Sequence, residues 1–179
     1  MRNDIEPSAR HVVLVGPMGA GKSTLGRALG ARLGLPVVDL DARIEQRAGR
    51  SIAALFADDG EAAFRRLERD ALLEALGGAA AVVATGGGTV LDAGNRDAMR
   101  ARATVVYLAV DPGLQQARLA GDTTRPLLQG DDAGATLARL QAQRESLYRA
   151  AAHHVFVAGS KPAGEAAEAL AAMLGDSGT

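Results

Sequence analysis

The run Val12-Val13-Leu14-Val15 passes directly into GPMGAGKST, after which Leu25, Ala28, Leu29 and Leu33 recur at helical spacing up to Gly34. A short β-branched run of this kind reads as a buried strand, and the repeat after it reads as a helix stopped by glycine. Gly16 to Ser23, between the two, fits G-x-x-x-x-G-K-S/T. Strand, glycine-rich turn and helix in that order form the first unit of an α/β sheet. The glycines let backbone N–H groups turn inward around phosphate oxygens, and the helix adds its positive end. Gly19, Ala20, Gly21, Lys22, Ser23 and Thr24 are therefore the candidate residues for a nucleoside triphosphate. Lys22 is placed to reach the β- and γ-phosphates, and Ser23 offers a hydroxyl to Mg²⁺.

The alternation continues along the chain. Val37-Val38 is a second strand candidate, followed by helical segments near 41–48 and 51–57, the latter with Ser51 as N-cap. Glu61 to Leu76 reads as one longer helix with Phe64, Leu67, Ala71 and Ala75 on a shared face, ended by Gly77-Gly78. Residues 80–84 form a third strand, 92–101 a helix, and Thr104 to Val110 the clearest strand. Asp111-Pro112 opens a helix as N-cap and first helical residue. Residues 120–133 are loop-like; then come a helix through Tyr148, a strand at 154–157 and a helix from Pro162. About five strands interleaved with helices predict a parallel sheet covered on both faces. The length of 179 residues suits one domain, with 40–60 and 120–133 as excursions from its core.

Composition narrows the classes. The chain is 47% hydrophobic but only 3% aromatic, so the core is expected to be mostly Ala, Leu and Val. Twenty basic and 21 acidic residues give a formal net charge of −1, which argues against a nucleic-acid grip. Cysteine is absent, excluding disulfides and thiol chemistry. No apolar run approaches the ~18 residues of a membrane span. The first ten residues lack the apolar stretch of a signal peptide, so the cytoplasm is the expected location. Residues 1–10 and the tail GDSGT are expected to be loose ends.

Several side chains carry two readings each. Asp39 and Asp111 both follow strand candidates and compete for the carboxylate that attends Mg²⁺; Asp111 already has a capping task before Pro112. Asp41 either caps the next helix or accepts a hydrogen bond from an attacking hydroxyl. Arg65, four residues after Glu61, is either half of an exposed helix ion pair or a ligand group, and Arg144, beside Glu145, poses the same choice. Thr85-Gly86-Gly87-Gly88 is either a strand-ending turn or a place where backbone approaches a ligand. Arg125, held extended by Pro126, is a surface arginine or the charge on a closing loop that excludes water. His11, His153 and His154 have no metal-ligand company, and the last two read as strand-edge or surface residues. The guanine-reading N-K-x-D motif is missing, and the short chain with its phosphate loop near the start suits a small-molecule kinase.

In order, GPMGAGKST, the D-L-D of Asp39 to Asp41, DGEAAFRRLE around Arg65, ATGGGTV, RPLL from Arg125, and Arg144 with Tyr148 four residues later resemble the shikimate kinase family over nearly the whole chain. The resemblance implies a nucleoside-monophosphate-kinase-like fold: a P-loop three-layer α/β/α arrangement with a five-stranded parallel sheet ordered 2-3-1-4-5. About 40–68 would be the substrate-binding region and about 120–133 the lid. It implies transfer of the ATP γ-phosphoryl group to the 3-hydroxyl of shikimate with Mg²⁺, a step toward chorismate and aromatic amino acids, by a cytoplasmic monomer. On the matching positions Lys22, Asp41 and Arg125 are catalytic. Arg118, Arg125 and Lys161 join the ATP side, Arg118 and Lys161 near the adenine. Asp41, Arg65, Gly86, Gly87, Gly88 and Arg144 hold shikimate; Ser23 and, through water, Asp39 serve the metal. A gluconate kinase of the same fold and a non-catalytic nucleotide-dependent regulator are the alternatives.

Overall fold

The computed structural model describes residues 10–120 and 132–176. The expected loose end at 1–9, nearly all of the expected lid including Arg125, and 177–179 lie outside the described residues. The element order is β1 (His11–Val15), α1 (Lys22–Leu33), β2 (Val37–Asp39), α2 (Leu40–Ala48), α3 (Ile52–Gly77), β3 (Val82–Ala84), a 3₁₀ turn (Thr89–Leu91), α4 (Ala93–Arg102), β4 (Ala103–Ala109), α5 (Pro112–Leu119), α6 (Ala133–Ala151), β5 (His154–Val157) and α7 (Ala163–Asp176).

The sheet order is β2-β3-β1-β4-β5, as the resemblance implies, and every neighbouring pair is parallel. β1 is buried at all five residues because it lies at the centre of the sheet with helices on both sides. Its alternating side chains serve two cores. Val13 and Val15 join Val83, Val105 and Tyr107 beneath α2, α3, α4 and α6. Val12 and Leu14 join Val82, Val106 and Leu108 beneath α1 and α7. The cores are largely aliphatic, but both tyrosines of the chain, Tyr107 and Tyr148, are also fully enclosed.

Local chemistry sets the boundaries. Ser51 and Asp111 cap α3 and α5 as expected, each accepting from a backbone N–H three residues on. Gly60, at φ 80 and ψ 168, breaks α3 into the two helical segments read from the sequence. β3 starts later than expected because the Ala81 N–H donates to His11 Nδ1 at 3.2 Å instead of extending the ladder. α7 continues through Gly175 to Asp176, two residues into the expected loose tail. The face of α3 is also phased differently: Leu67 is 40% exposed, and Glu68 is buried beside Phe64, Ala71, Leu72 and Ala75. Arg65 and Thr89 supply its partners inside. No helix among the described residues is long and apolar enough to cross a membrane.

Gly30 shows how closely α1 packs on β2. A Cβ there would lie 2.3 Å from Val37 Cγ2 and 2.9 Å from the Leu35 carbonyl oxygen. Gly30→Ala should therefore destabilise the fold by about 1–3 kcal/mol, since overpacking exceeds the ~1 kcal/mol gained in helix propensity. A urea midpoint equal to or above that of the parent would show that the sheet edge yields freely.

Candidate active site

All five strands run the same way, so their carboxyl ends share one rim, the usual ligand side of an open parallel sheet. The phosphate loop leaves that rim from β1. Gly16 has φ 148, and a Cβ on it would stand 2.6 Å from the Leu108 carbonyl oxygen of β4, so only glycine fits. Gly19 and Gly21 both adopt positive φ before α1 begins at Lys22. Lys22 Nζ donates to the Gly16 and Pro17 carbonyls at 2.8 Å each, which holds the ammonium over the loop. α5 braces the outside of the loop. Gln115 Nε2 donates to the Met18 carbonyl at 2.8 Å, and Arg118 Nη1 donates to those of Gly19 and Ala20 at 3.1 and 3.3 Å. Arg118 Nη2 also reaches the Gly159 carbonyl at 2.8 Å. Arg118 and Lys161, both expected near an adenine, line one slot of about 210 Å³ with Thr24 and Ala158.

The two aspartates of the D-L-D segment divide as their positions dictate. Asp39 ends β2 and caps α2, accepting from the Ala42 N–H at 3.2 Å. Its other oxygen accepts from Ser23 Oγ at 2.5 Å. Asp111 caps α5, leaving Asp39 as the strand-end carboxylate beside the phosphate loop. Ser23 and Asp39 are hard oxygen donors, and no cluster of three or more His, Cys, Asp or Glu able to hold a metal occurs among the described residues. That pair fits an ion that takes most of its shell from water and phosphate, which is the habit of Mg²⁺. Asp41 is not the cap. It lines both the cavity of about 260 Å³ over the phosphate loop and a larger one of about 520 Å³ beside it.

The larger cavity collects residues from distant elements: Asp41 of α2, Arg65 of α3, Gly86, Gly87 and Gly88 after β3, and Arg144 of α6. Phe56, Phe64, Ile52 and Met18 supply apolar wall. Arg65 forms the helix ion pair, with Glu61 at 3.1 Å, and also stands on the cavity wall. Its guanidinium crowds the turn, since a Cβ on Gly88 would lie 2.3 Å from Nη2. Arg144 is only 6% exposed; its neighbour Glu145 instead pairs with Arg149 at 2.8 Å. Arg144 Nε is buried and has no hydrogen-bond partner among the described residues. Two guanidinium forks on the wall of one cavity suit a planar carboxylate.

The supporting groups were less legible. Glu68, 1% exposed, accepts from Arg65 Nη1 at 2.8 Å and from Thr89 Oγ1 at 2.6 Å, so it fixes Arg65 from behind. Its spacing of three from Arg65 and four from Phe64 carried the signal. Tyr148 donates to the Gly87 carbonyl at 2.6 Å, and burial pushes its phenol up to about 12.

Residues 18–174 match the family model described as shikimate kinase. The chain belongs to the shikimate kinase family. Shikimate kinase of Halorhodospira halophila is 51% identical over 138 residues, which cover 77% of this chain and 78% of that one. Shikimate kinase of Stenotrophomonas maltophilia is 49% identical over 141 residues, 79% of this chain and 78% of that protein. A solved shikimate kinase from Acinetobacter baumannii, in complex with shikimate, superposes with a TM-score of 0.93 at 37% identity over 95% of both chains. A gluconokinase from Sinorhizobium meliloti, at 18% identity and a TM-score of 0.56, shares the fold alone; it covers 95% of both chains.

Glu68→Gln removes the charge that faces Arg65 while keeping the side-chain volume. It should cost about 1–3 kcal/mol of stability, because Arg65 loses its buried counter-charge. Chemical denaturation checks this, and an unchanged unfolding free energy would mean that Arg65 needs no such brace.

Proposed function

We propose that the chain transfers the ATP γ-phosphoryl group to the 3-hydroxyl of shikimate, giving shikimate 3-phosphate and ADP, with the site residues in the following roles. Asp41 carries the reading, since it belongs to the walls of both the phosphate-loop cavity and the arginine-bearing cavity. A hydroxyl held at Asp41 would face a terminal phosphate seated on the loop amides.

Arg65 and Arg144 clasp the shikimate carboxylate, and the glycine run, chiefly Gly87, supplies backbone donors to the rest of the ring. Lys22 moves from the loop carbonyls onto the β- and γ-phosphates. Gly19, Ala20, Gly21, Ser23 and Thr24 seat the phosphates, and Arg118 and Lys161 flank the adenine. Ser23 and, through water, Asp39 would hold Mg²⁺, which would supply positive charge to the phosphate oxygens. Asp41 orients the attacking hydroxyl and takes its hydrogen bond. A loose transition state needs little proton removal before the phosphoryl group moves. Arg125, in the loop expected to close, balances charge on the transferring group; this role rests on the sequence. The whole chain acts as one kinase domain, with 40–68 holding the acid and 120–133 as lid. It is a cytoplasmic monomer of the chorismate route, independent of nucleic acid and membrane.

An ADP-release assay with shikimate, gluconate or no acceptor tests the reading. Release only with shikimate supports it, whereas equal release with gluconate, or none at all, defeats it. Arg65→Lys should raise the KM for shikimate roughly ten-fold or more while that for ATP stays within about two-fold, because a point charge cannot reproduce a planar fork. Equal losses for the two ligands would remove Arg65 from the acid side. Asp41→Asn should lower kcat by about 10²-fold or more with ATP affinity nearly intact. Turnover that survives this change would exclude Asp41 from the chemistry.

A further inference from the structure

Tyr148 sits one turn beyond Arg144 on α6 and is 1% exposed. Its ring stacks on Tyr107 with centroids 5.2 Å apart and planes 21° apart. Tyr107 is itself tied to α6, where Gln141 Nε2 donates to its hydroxyl oxygen at 3.0 Å. The stacked ring therefore has a fixed direction, and its hydroxyl donates across to the Gly87 carbonyl at 2.6 Å. The Arg144 guanidinium acts electrostatically on the same phenol. Packing alone would be served by phenylalanine, so the hydroxyl calls for a separate explanation.

In a trans peptide the carbonyl and the next N–H lie in one plane and point in opposite directions. Anchoring the Gly87 carbonyl thus sets the direction of the Gly88 N–H. Between two glycines this plane has unusual freedom to rotate unless something holds it. Gly88 lines the large cavity and lies against the Arg65 guanidinium, while Gly87 lies near Arg144 Nη1. One hydroxyl consequently anchors the backbone turn that lies near both cationic groups. It lies behind the cavity wall and reaches no reacting atom.

We propose that Tyr148 is a positioning residue of the acid pocket: its hydroxyl locks the Gly87–Gly88 peptide plane in place beside the Arg65 and Arg144 guanidinium groups. This inference rests on the proposed binding of shikimate between Arg65 and Arg144. The raised phenol pKa keeps the hydroxyl a donor throughout the neutral range.

Tyr148→Phe in the full chain is the test, with Tyr107→Phe, which keeps the stacked rings, as the packing control. In the ligand-free protein, Tyr148→Phe should shift the Gly88 amide resonance, because that N–H shares a peptide plane with the released carbonyl. The KM for shikimate should rise by about ten-fold, with kcat within about three-fold and the KM for ATP unchanged. Tyr107→Phe should show none of these changes. A Tyr148→Phe protein that merely melts earlier, with the Gly88 amide unmoved or the KM for shikimate unchanged, overturns the proposal. If the parent protein fails to bind shikimate while the Gly88 amide responds to Tyr148→Phe, the functional reading falls and the positioning contact stands for another acid.

Discussion

β1 is paired along both edges and buried on both faces, so its backbone and side chains are committed to the interior until Val15. The chain then has to turn at once, beside β4, where the Leu108 carbonyl leaves no room for a Cβ at Gly16. The phosphate loop is thus shaped from outside by the neighbouring strand as well as by its own glycines. Asp39 and the glycine run reach the same rim because β2 and β3 are in parallel register with β1. A slip of one residue in either ladder would move Asp39 to the opposite face of the sheet. The contact between Ser23 and Asp39 depends on that register.

Around this rim the proposed function separates two kinds of anion recognition. Phosphate would meet backbone amides, a helix end and one lysine, groups that suit a diffuse charge on several oxygens. The acid would meet guanidinium groups. Arg65 is held by Glu61 and Glu68, and Arg144 is buried on α6 one turn before Tyr148. Holding the forks rigid lowers the entropy lost when a carboxylate binds, and the half-apolar cavity strengthens each ionic contact. The fold shared with a distant gluconokinase does not include this arrangement as a requirement, since likeness at 18% identity speaks only for the scaffold.

The strand, turn and helix of the phosphate loop, the Gly60 break and the caps at Ser51 and Asp111 were legible in the sequence because each is a local event. Hydrophobic period, glycine position and short polar side chains act within four residues of themselves. The ordered motifs also pointed to the right family and to the sheet order that is found. Asp41, Arg65, the glycine run and Arg144 do line one cavity. Arg125 lies outside the described residues.

What the sequence hid were partnerships across long separations. Glu68 has no partner in the sequence reading; Thr89, 21 residues away, meets it only in the fold. Tyr148 stands in the ordered motif four residues after Arg144, but its partner Gly87, 61 residues away, is seen only when the fold brings it under the hydroxyl. Neither pairing has a period or a spacing, because each is made by elements that meet only when the sheet assembles. By itself the sequence determined which segments fold and which groups are chemically able to grip anions. The tertiary structure decided which charges are buried and what holds them still, since a side chain's electrostatics depend on neighbours that chain order does not reveal.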